Sequence, residues 1–309
     1  MNNKGQGPDG LHSIISEKYP NTAGIVVIKD GQTAYEDYFN GADKSSALHV
    51  ASATKSVVSA LVGIAIDMGC IKSEQQRLAD YFSGAPEWIT IGDLLNMRVP
   101  YRFEDWREPL DRLSMSPDWV RFALDMIDDG GRVPFKYSTA GAHLLSAAIS
   151  VATGKSAREF ANDTLFRPAG MTLVEENAGQ EFSFDGLFGS KLKGWAHDPQ
   201  GISAGGWGLC MTARDMAAFG QVYLNGGAVN GKRIISEGWI QKTFTQNAAR
   251  YGYLWWQIDD GVFAAMGDGG NMICCIPDMG ITAAVLSRFT PGAGDGWELV
   301  RDYIIPAVG

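Results

Sequence analysis

Residues 52–69 read SATKSVVSALVGIAIDMG, and the fold follows from them. Written on a helix, their apolar side chains surround it almost completely and leave no polar face for solvent. Such a helix lies in the centre of a protein, not on its surface. Gly69 ends it. Upstream, Gly24–Lys29 (GIVVIK) is a short β-branched run stopped by Asp30-Gly31, a hairpin signal, and Thr33–Phe39 alternates as the returning strand. Before them, Leu11–Tyr19 has helical apolar spacing.

Downstream of the central helix the pattern changes. Ile91–Met97, Pro117–Met126, Ala140–Thr153 and Ala157–Leu165 carry helical periodicity between proline and glycine punctuation. Past a glycine-rich loop, Thr212 is placed to cap a helix running through Tyr223. Strand signals return at Tyr251–Ile258, Val262–Met266, Met272–Ile276 and Ile281–Ser287, with turns at 259–261 and 277–280. An amphipathic helix from about Trp297 to Ile305 closes the chain. Strands joined by tight turns imply antiparallel pairing. The expected class is therefore α/β of the α+β kind, an antiparallel sheet flanked by helices. Residues 1–75 and 202–309 would form the sheet domain, with 76–201 inserted as a mostly helical lobe.

The chain has 309 residues, room for two lobes or one large unit. Its formal net charge of −9 disfavours nucleic acid and anionic membrane surfaces as partners, and no basic stripe offsets it. No apolar run approaches the roughly 20 residues of a membrane helix. Met1–Gly10 is polar and glycine-rich, unlike a secretory signal, so the chain reads as cytoplasmic. Cys274 and Cys275 are adjacent and in a strand would face opposite sides. With Cys70 and Cys210 they show no C-x-x-C spacing, and all four are read as buried free thiols. His12, His49, His143 and His197 are dispersed, so no metal and no cofactor is expected.

Three elements can carry chemistry. Ser52-Ala53-Thr54-Lys55 places a hydroxyl and an amine one helical turn apart, within hydrogen-bond reach of each other. Serine is a weak nucleophile until a base takes its proton. A lysine one turn into a buried helix needs a reason, and this is one. The backbone N–H of Ser52 is a candidate oxyanion donor. Tyr137, in Tyr137-Ser138-Thr139 ahead of a helix, offers a phenol for proton transfer. Gly267-Asp268-Gly269-Gly270-Asn271 lies between two strands, and its glycines allow close backbone approach of a substrate. Taken singly, each also fits a plain structural role: a solvated lysine, a buried aromatic, a hairpin loop.

In this order the elements resemble the serine β-lactamase and penicillin-binding superfamily, and more closely its class C-like esterase and 6-aminohexanoate-oligomer-hydrolase branch. The resemblance extends to VASATKSVVSALVGIAIDMG, TIGDLLNM, FKYSTAGAHLLSAAISVATG, GGWGLCMTARDMAAFG and GDGGNMICCIPDMGI, spread over most of residues 20–290. It implies a serine hydrolase acting on a small-molecule ester or amide. Ser52 would be the nucleophile, Lys55 and Tyr137 the proton-handling pair in either order, and the N–H groups of Ser52 and Asn271 the oxyanion donors. Thr139, Trp207, Asp268, Gly269 and Gly270 would bind substrate. Three places depart from the family pattern: Thr139 stands where Asn is usual, Asp268 where Lys or His is usual, and the loop Asn96-Met97-Arg98-Val99-Pro100 lacks the Ser-Gly often found there. The charge reversal at Asp268 argues against substrates recognised by a carboxylate. A β-lactamase or DD-peptidase, and a catalytically poor acyl-binding or scaffold protein, stay open as alternatives.

Overall fold

The computed structural model describes residues 8–103, 108–189, 191–245, 247–290 and 292–308. The polar leader lies outside the described residues as far as residue 7. Helix α1 (Pro8–Lys18) precedes the hairpin β1 (Thr22–Lys29) and β2 (Gln32–Tyr38), and a short β3 (Leu48–His49) leads to α2 (Thr54–Asp67). A run of helices follows: α3 (Ile91–Leu95), α4 (Leu110–Ser114), α5 (Trp119–Asp125), α6 (Thr139–Thr153), α7 (Ala157–Ala161) and α8 (Phe184–Leu187). The chain then runs through β4 (Cys210–Met211), α9 (Ala213–Leu224), β5 (Ala228–Val229), β6 (Lys232–Arg233) and α10 (Glu237–Thr243). Strands β7 (Tyr251–Gly252), β8 (Trp255–Asp259), β9 (Val262–Gly267), β10 (Asn271–Ile276) and β11 (Ile281–Ser287) come last. Helix α11 (Gly296–Leu299), a π turn at Val300–Ile304 and α12 (Ile305–Val308) end the chain.

Seven strands form one antiparallel sheet in the order β2-β1-β11-β10-β9-β8-β7, so the first hairpin pairs with the last strand. Each face of the sheet covers its own core. On one side Val26, Ile273 and Cys275 join α2, α6 and α9 in one apolar cluster. On the other, Ile25, Val27 and Cys274 pack with Leu11 and Ile15 of α1 and with Leu299 and Ile304 at the C-terminus. The two adjacent cysteines thus face opposite ways, as strand alternation requires. Cys70 is only half-buried, unlike the other three thiols, because it follows the exposed end of α2.

Helix α2 is buried from Thr54 to Ala65, as its all-round apolar pattern demands. Helix α9 crosses the sheet so closely that a Cβ on Gly220 would come within 2.4 Å of Thr282. Its start is fixed by a capping box: Thr212 accepts from the Asp215 N–H at 3.0 Å, and Asp215 reaches back to Thr212. Arg214 instead pairs with Glu36 at 2.7 Å.

Two element boundaries differ from expectation. The stretch Tyr251–Ile258 is not one strand, because Tyr253 and Leu254 take positive φ of 51° and 60°. There the Leu254 N–H donates to Leu95 O and its carbonyl accepts from Ser56 Oγ, so α2 and α3 claim the groups that a strand ladder would use. The central helix begins at Thr54 and not at Ser52, which sits in a 3-10 turn over Ala51–Ala53. Among the described residues, no helix is long and apolar enough to cross a membrane.

Candidate active site

Ser52 stands at the mouth of the buried helix on a strained turn. Ala51 before it has φ 48°, a left-handed conformation that costs an alanine about 1 kcal/mol or more. The turn is held by Thr54 Oγ1, which donates to Ala51 O at 2.7 Å. Lys55 is 1% exposed, and its Nζ donates to Ser52 Oγ at 3.1 Å and to the Gly206 carbonyl at 2.7 Å. The same Nζ lies 4.8 Å from the centre of the Tyr137 ring. No carboxylate pairs with it among the described residues. A buried amine whose contacts are a serine hydroxyl, a carbonyl and an aromatic face is placed to exchange a proton with that serine.

Tyr137 is wedged by other rings, stacked on Trp256 at 5.7 Å and edge-on to Tyr251 at 5.9 Å. Directly after it, Ser138 caps α6 by accepting from the Gly141 N–H at 2.9 Å. A residue that sequence reasoning passed over completes this corner. The Glu108 carboxylate accepts from the Thr139 N–H, from the Ala140 N–H at 2.7 Å and from Ser138 Oγ at 3.0 Å. A carboxylate at a helix N-terminus satisfies orphan N–H groups and meets the positive end of the dipole. Glu108 lies about 30 residues from its partners in sequence, so no local spacing signals it.

The loop carrying Gly206 is pressed against the first turns of α6. A Cβ on Gly205 would meet Ala142 O at 2.1 Å, and one on Gly206 would meet Thr139 Cγ2 at 2.2 Å. His143, fully buried, accepts the Gly205 N–H at Nδ1 (3.4 Å), which leaves Nε2 to donate to buried Asp198 at 3.3 Å. His143 thus makes a structural hydrogen bond to the loop that grips Lys55. His49 holds the other end: its Nε2 accepts the Gly208 N–H at 2.9 Å, so the ring proton sits on Nδ1, against the Phe188 carbonyl. Burial pushes the His49 imidazole down to about 4, with the Phe188 hydrogen bond opposing that shift. Trp207 is core and wall at once, 3% exposed and stacked between Trp119 and Phe188.

The hairpin between β9 and β10 supplies the far side. Gly267 packs so tightly that a Cβ would fall 2.1 Å from Val50 O, beside the nucleophile's turn. Gly269 and Gly270 have φ of 85° and 84°, and a Cβ on Gly269 would strike Phe289, so the loop requires glycine there. Met266, Gly267 and Asp268 line the cavity beside Ser52, whereas Gly269, Gly270 and Asn271 do not. Asn271 lies across the ladder from Gly267 and works as a fastener: its Oδ1 accepts from the Ser287 N–H and its Nδ2 donates to Asp268 O. The strand end at Met266–Asp268 thus borders the cavity beside Ser52. Asp268 is exposed, and neither Arg98 nor Arg288 forms an ion pair with it.

Two cavities meet at Ser52. One, of about 370 Å³, is walled by Leu110, Phe188, Trp207 and Phe289. The other, of about 710 Å³, is lined by Glu108, Tyr137, Trp256 and Met266. Ser52, Leu110, Thr139 and Asp268 border both. Among the described residues, no lysine or arginine lines either one.

A family model described as Beta-lactamase matches residues 17–302. The 6-aminohexanoate-dimer hydrolase of Paenarthrobacter ureafaciens is 22% identical over 238 residues, covering 71% of this chain and 56% of that protein. The chain therefore spans little more than half the length of that curated relative. A Bacillus anthracis structure provisionally named 6-aminohexanoate-dimer hydrolase superposes with TM-score 0.76 at 21% identity, over 96% of this chain and 81% of that one. The octameric penicillin-binding protein homologue of Pyrococcus abyssi gives TM-score 0.71 at 20% identity, over 96% and 76%. At such identities the superpositions establish the fold.

Proposed function

The chain belongs to the Beta-lactamase family, and on that premise we propose that it is a serine hydrolase cleaving a small ester or amide through an acyl-enzyme on Ser52. The observation that carries this reading is the 3.1 Å contact between a buried Lys55 amine, paired with no carboxylate among the described residues, and the Ser52 hydroxyl. The Ser52 oxygen bonds to the substrate carbonyl carbon while its proton passes to the Lys55–Tyr137 pair. The tetrahedral oxyanion meets the Ser52 N–H and a second N–H from the strand end at Met266–Asp268. The carbon–oxygen or carbon–nitrogen bond then breaks, and the leaving group departs with the proton. Water attacks the acyl-enzyme by the same path, releasing the acid and restoring Ser52.

The hydrolase activity of the relatives supports this class of reaction, and the charge of the cleft narrows it. Asp268 borders both cavities and, among the described residues, no lysine or arginine lines them, so a substrate carboxylate would meet repulsion where it loses hydration. Neutral or amine-bearing substrates fit. Labelling with a fluorophosphonate followed by peptide mapping should find Ser52. Ser52→Ala should abolish the label and lower kcat by at least about 10³. Labelling retained at another serine would overturn the assignment.

A further inference from the structure

We propose that the cavity bounded by Phe188 and Trp207 is an acyl-chain pocket, selecting esters of apolar acids of roughly six to ten carbons. The inference rests on Ser52 as nucleophile and goes on to the substrate. Eight large apolar side chains are exposed among the described residues, and Met115, Phe184 and Phe289 from three separate segments all border this one cavity. Exposed apolar side chains scattered singly need no explanation, but a cluster around a cleft mouth marks a surface that expects an apolar occupant. They are 68%, 72% and 57% exposed, so an entering chain has much apolar area to cover at the rim before it reaches the walls. The volume of about 370 Å³ would hold about a dozen heavy atoms at roughly 30 Å³ each.

Proton traffic fixes which half of the substrate enters. The leaving group must receive a proton as its bond to the carbonyl carbon breaks. Tyr137 lines the larger cavity and not the smaller one. The leaving group therefore belongs beside Tyr137 and Glu108, and the acyl chain, on the opposite side of the carbonyl, extends toward Trp207. His49 at the cavity wall is neutral and engaged with Gly208, so it offers nothing to an anionic chain end.

Nitrophenyl acetate, butyrate, hexanoate and octanoate share one leaving group and test the pocket alone. In the wild type, kcat/KM should rise about threefold per methylene toward octanoate. Phe184→Ala and Phe289→Ala should each lower the octanoate-to-acetate ratio by about tenfold. A profile flat or falling with chain length, or a ratio unchanged in both variants, would overturn the pocket. Failure of the nucleophile is read separately, as hydrolysis that survives Ser52→Ala. The Ser52→Ala protein then carries the binding test. It should bind neutral 1-aminonaphthalene, which is within the size of the cavity, release it to 1-octanol, and bind it at least about tenfold more weakly when Phe184→Ala is added. Absence of displaceable binding overturns the proposal whatever the chemistry at residue 52.

Discussion

His49 joins the strand that leads into Ser52 to the loop that grips Lys55, and it can do so only while its ring is neutral. Its Nε2 accepts the Gly208 N–H, which a protonated imidazole cannot do. Burial lowers the group from 6.5 in the ordinary state to about 4 in the folded protein. Between those values the unfolded chain binds a proton that the native chain refuses. The contribution is thus fully present above pH 6.5, is lost as pH falls through 6.5 toward 4, and declines no further below that. The gap multiplied by about 1.36 kcal/mol per unit gives a ceiling of about 3 kcal/mol. With an unfolding entropy of about 2.1 cal/mol/K per residue over 309 residues, that corresponds to a Tm shift of about 5 °C. The assay compares Tm at pH 7 and pH 4.5 for the wild type and for His49→Gln, whose amide oxygen can take the Gly208 N–H but does not titrate. Acidification should lower the wild-type Tm by about 3–4 °C more than that of the variant, since this pH interval spans most but not all of the shift. Equal drops in the two proteins would refute the reasoning.

Tyr137→Phe should lower kcat by about 10²-fold, the worth of general acid–base help, and activity near the wild-type level would remove the phenol from the mechanism. Asp268→Lys, which reverses the charge at the edge of both cavities, should raise kcat/KM for nitrocefin relative to nitrophenyl butyrate by about tenfold or more; an unchanged ratio would discount the charge argument. Wild-type protein should favour the butyrate, and a nitrocefin value equal to or above it would restore the β-lactamase alternative. Glu108→Ala uncovers the N–H groups at the start of α6 and should cost about 1–2 kcal/mol in urea unfolding. Loss of stability indistinguishable from zero would show that water replaces the carboxylate.

What could be read from the sequence was whatever is decided within a few residues. Ser52 and Lys55 meet because three residues make one helical turn. The Asp30-Gly31 hairpin, the Thr212 cap and the opposed cysteines follow from equally short patterns. Contacts closed over longer separations left no such trace. Glu108 reaches α6 across 30 residues and more, and the Leu254 N–H is taken by Leu95, which breaks a strand that alternation alone would continue. The fastening role of the Asn271 side chain, which ties the Ser287 N–H to the Asp268 carbonyl, is likewise closed across separate segments. The apolar cavity is assembled from segments around 49, 110, 184–188, 207 and 289, none of which is unusual by itself.

The left-handed Ala51 and the closely packed Gly267 have a consequence for how this protein can change. The methyl of Ala51 would lie 3.2 Å from a Cβ at position 267, and the Val50 carbonyl already fills the rest of that space. Position 267 therefore cannot leave glycine without moving the turn that carries Ser52. Glycine at 51 would relax the backbone and favour the folded state locally, yet it would also free the turn to sample other directions for the serine. Variation accumulating elsewhere in the chain leaves this pair little room to drift, and a library that randomises the cleft would recover function mainly from members that keep both residues small.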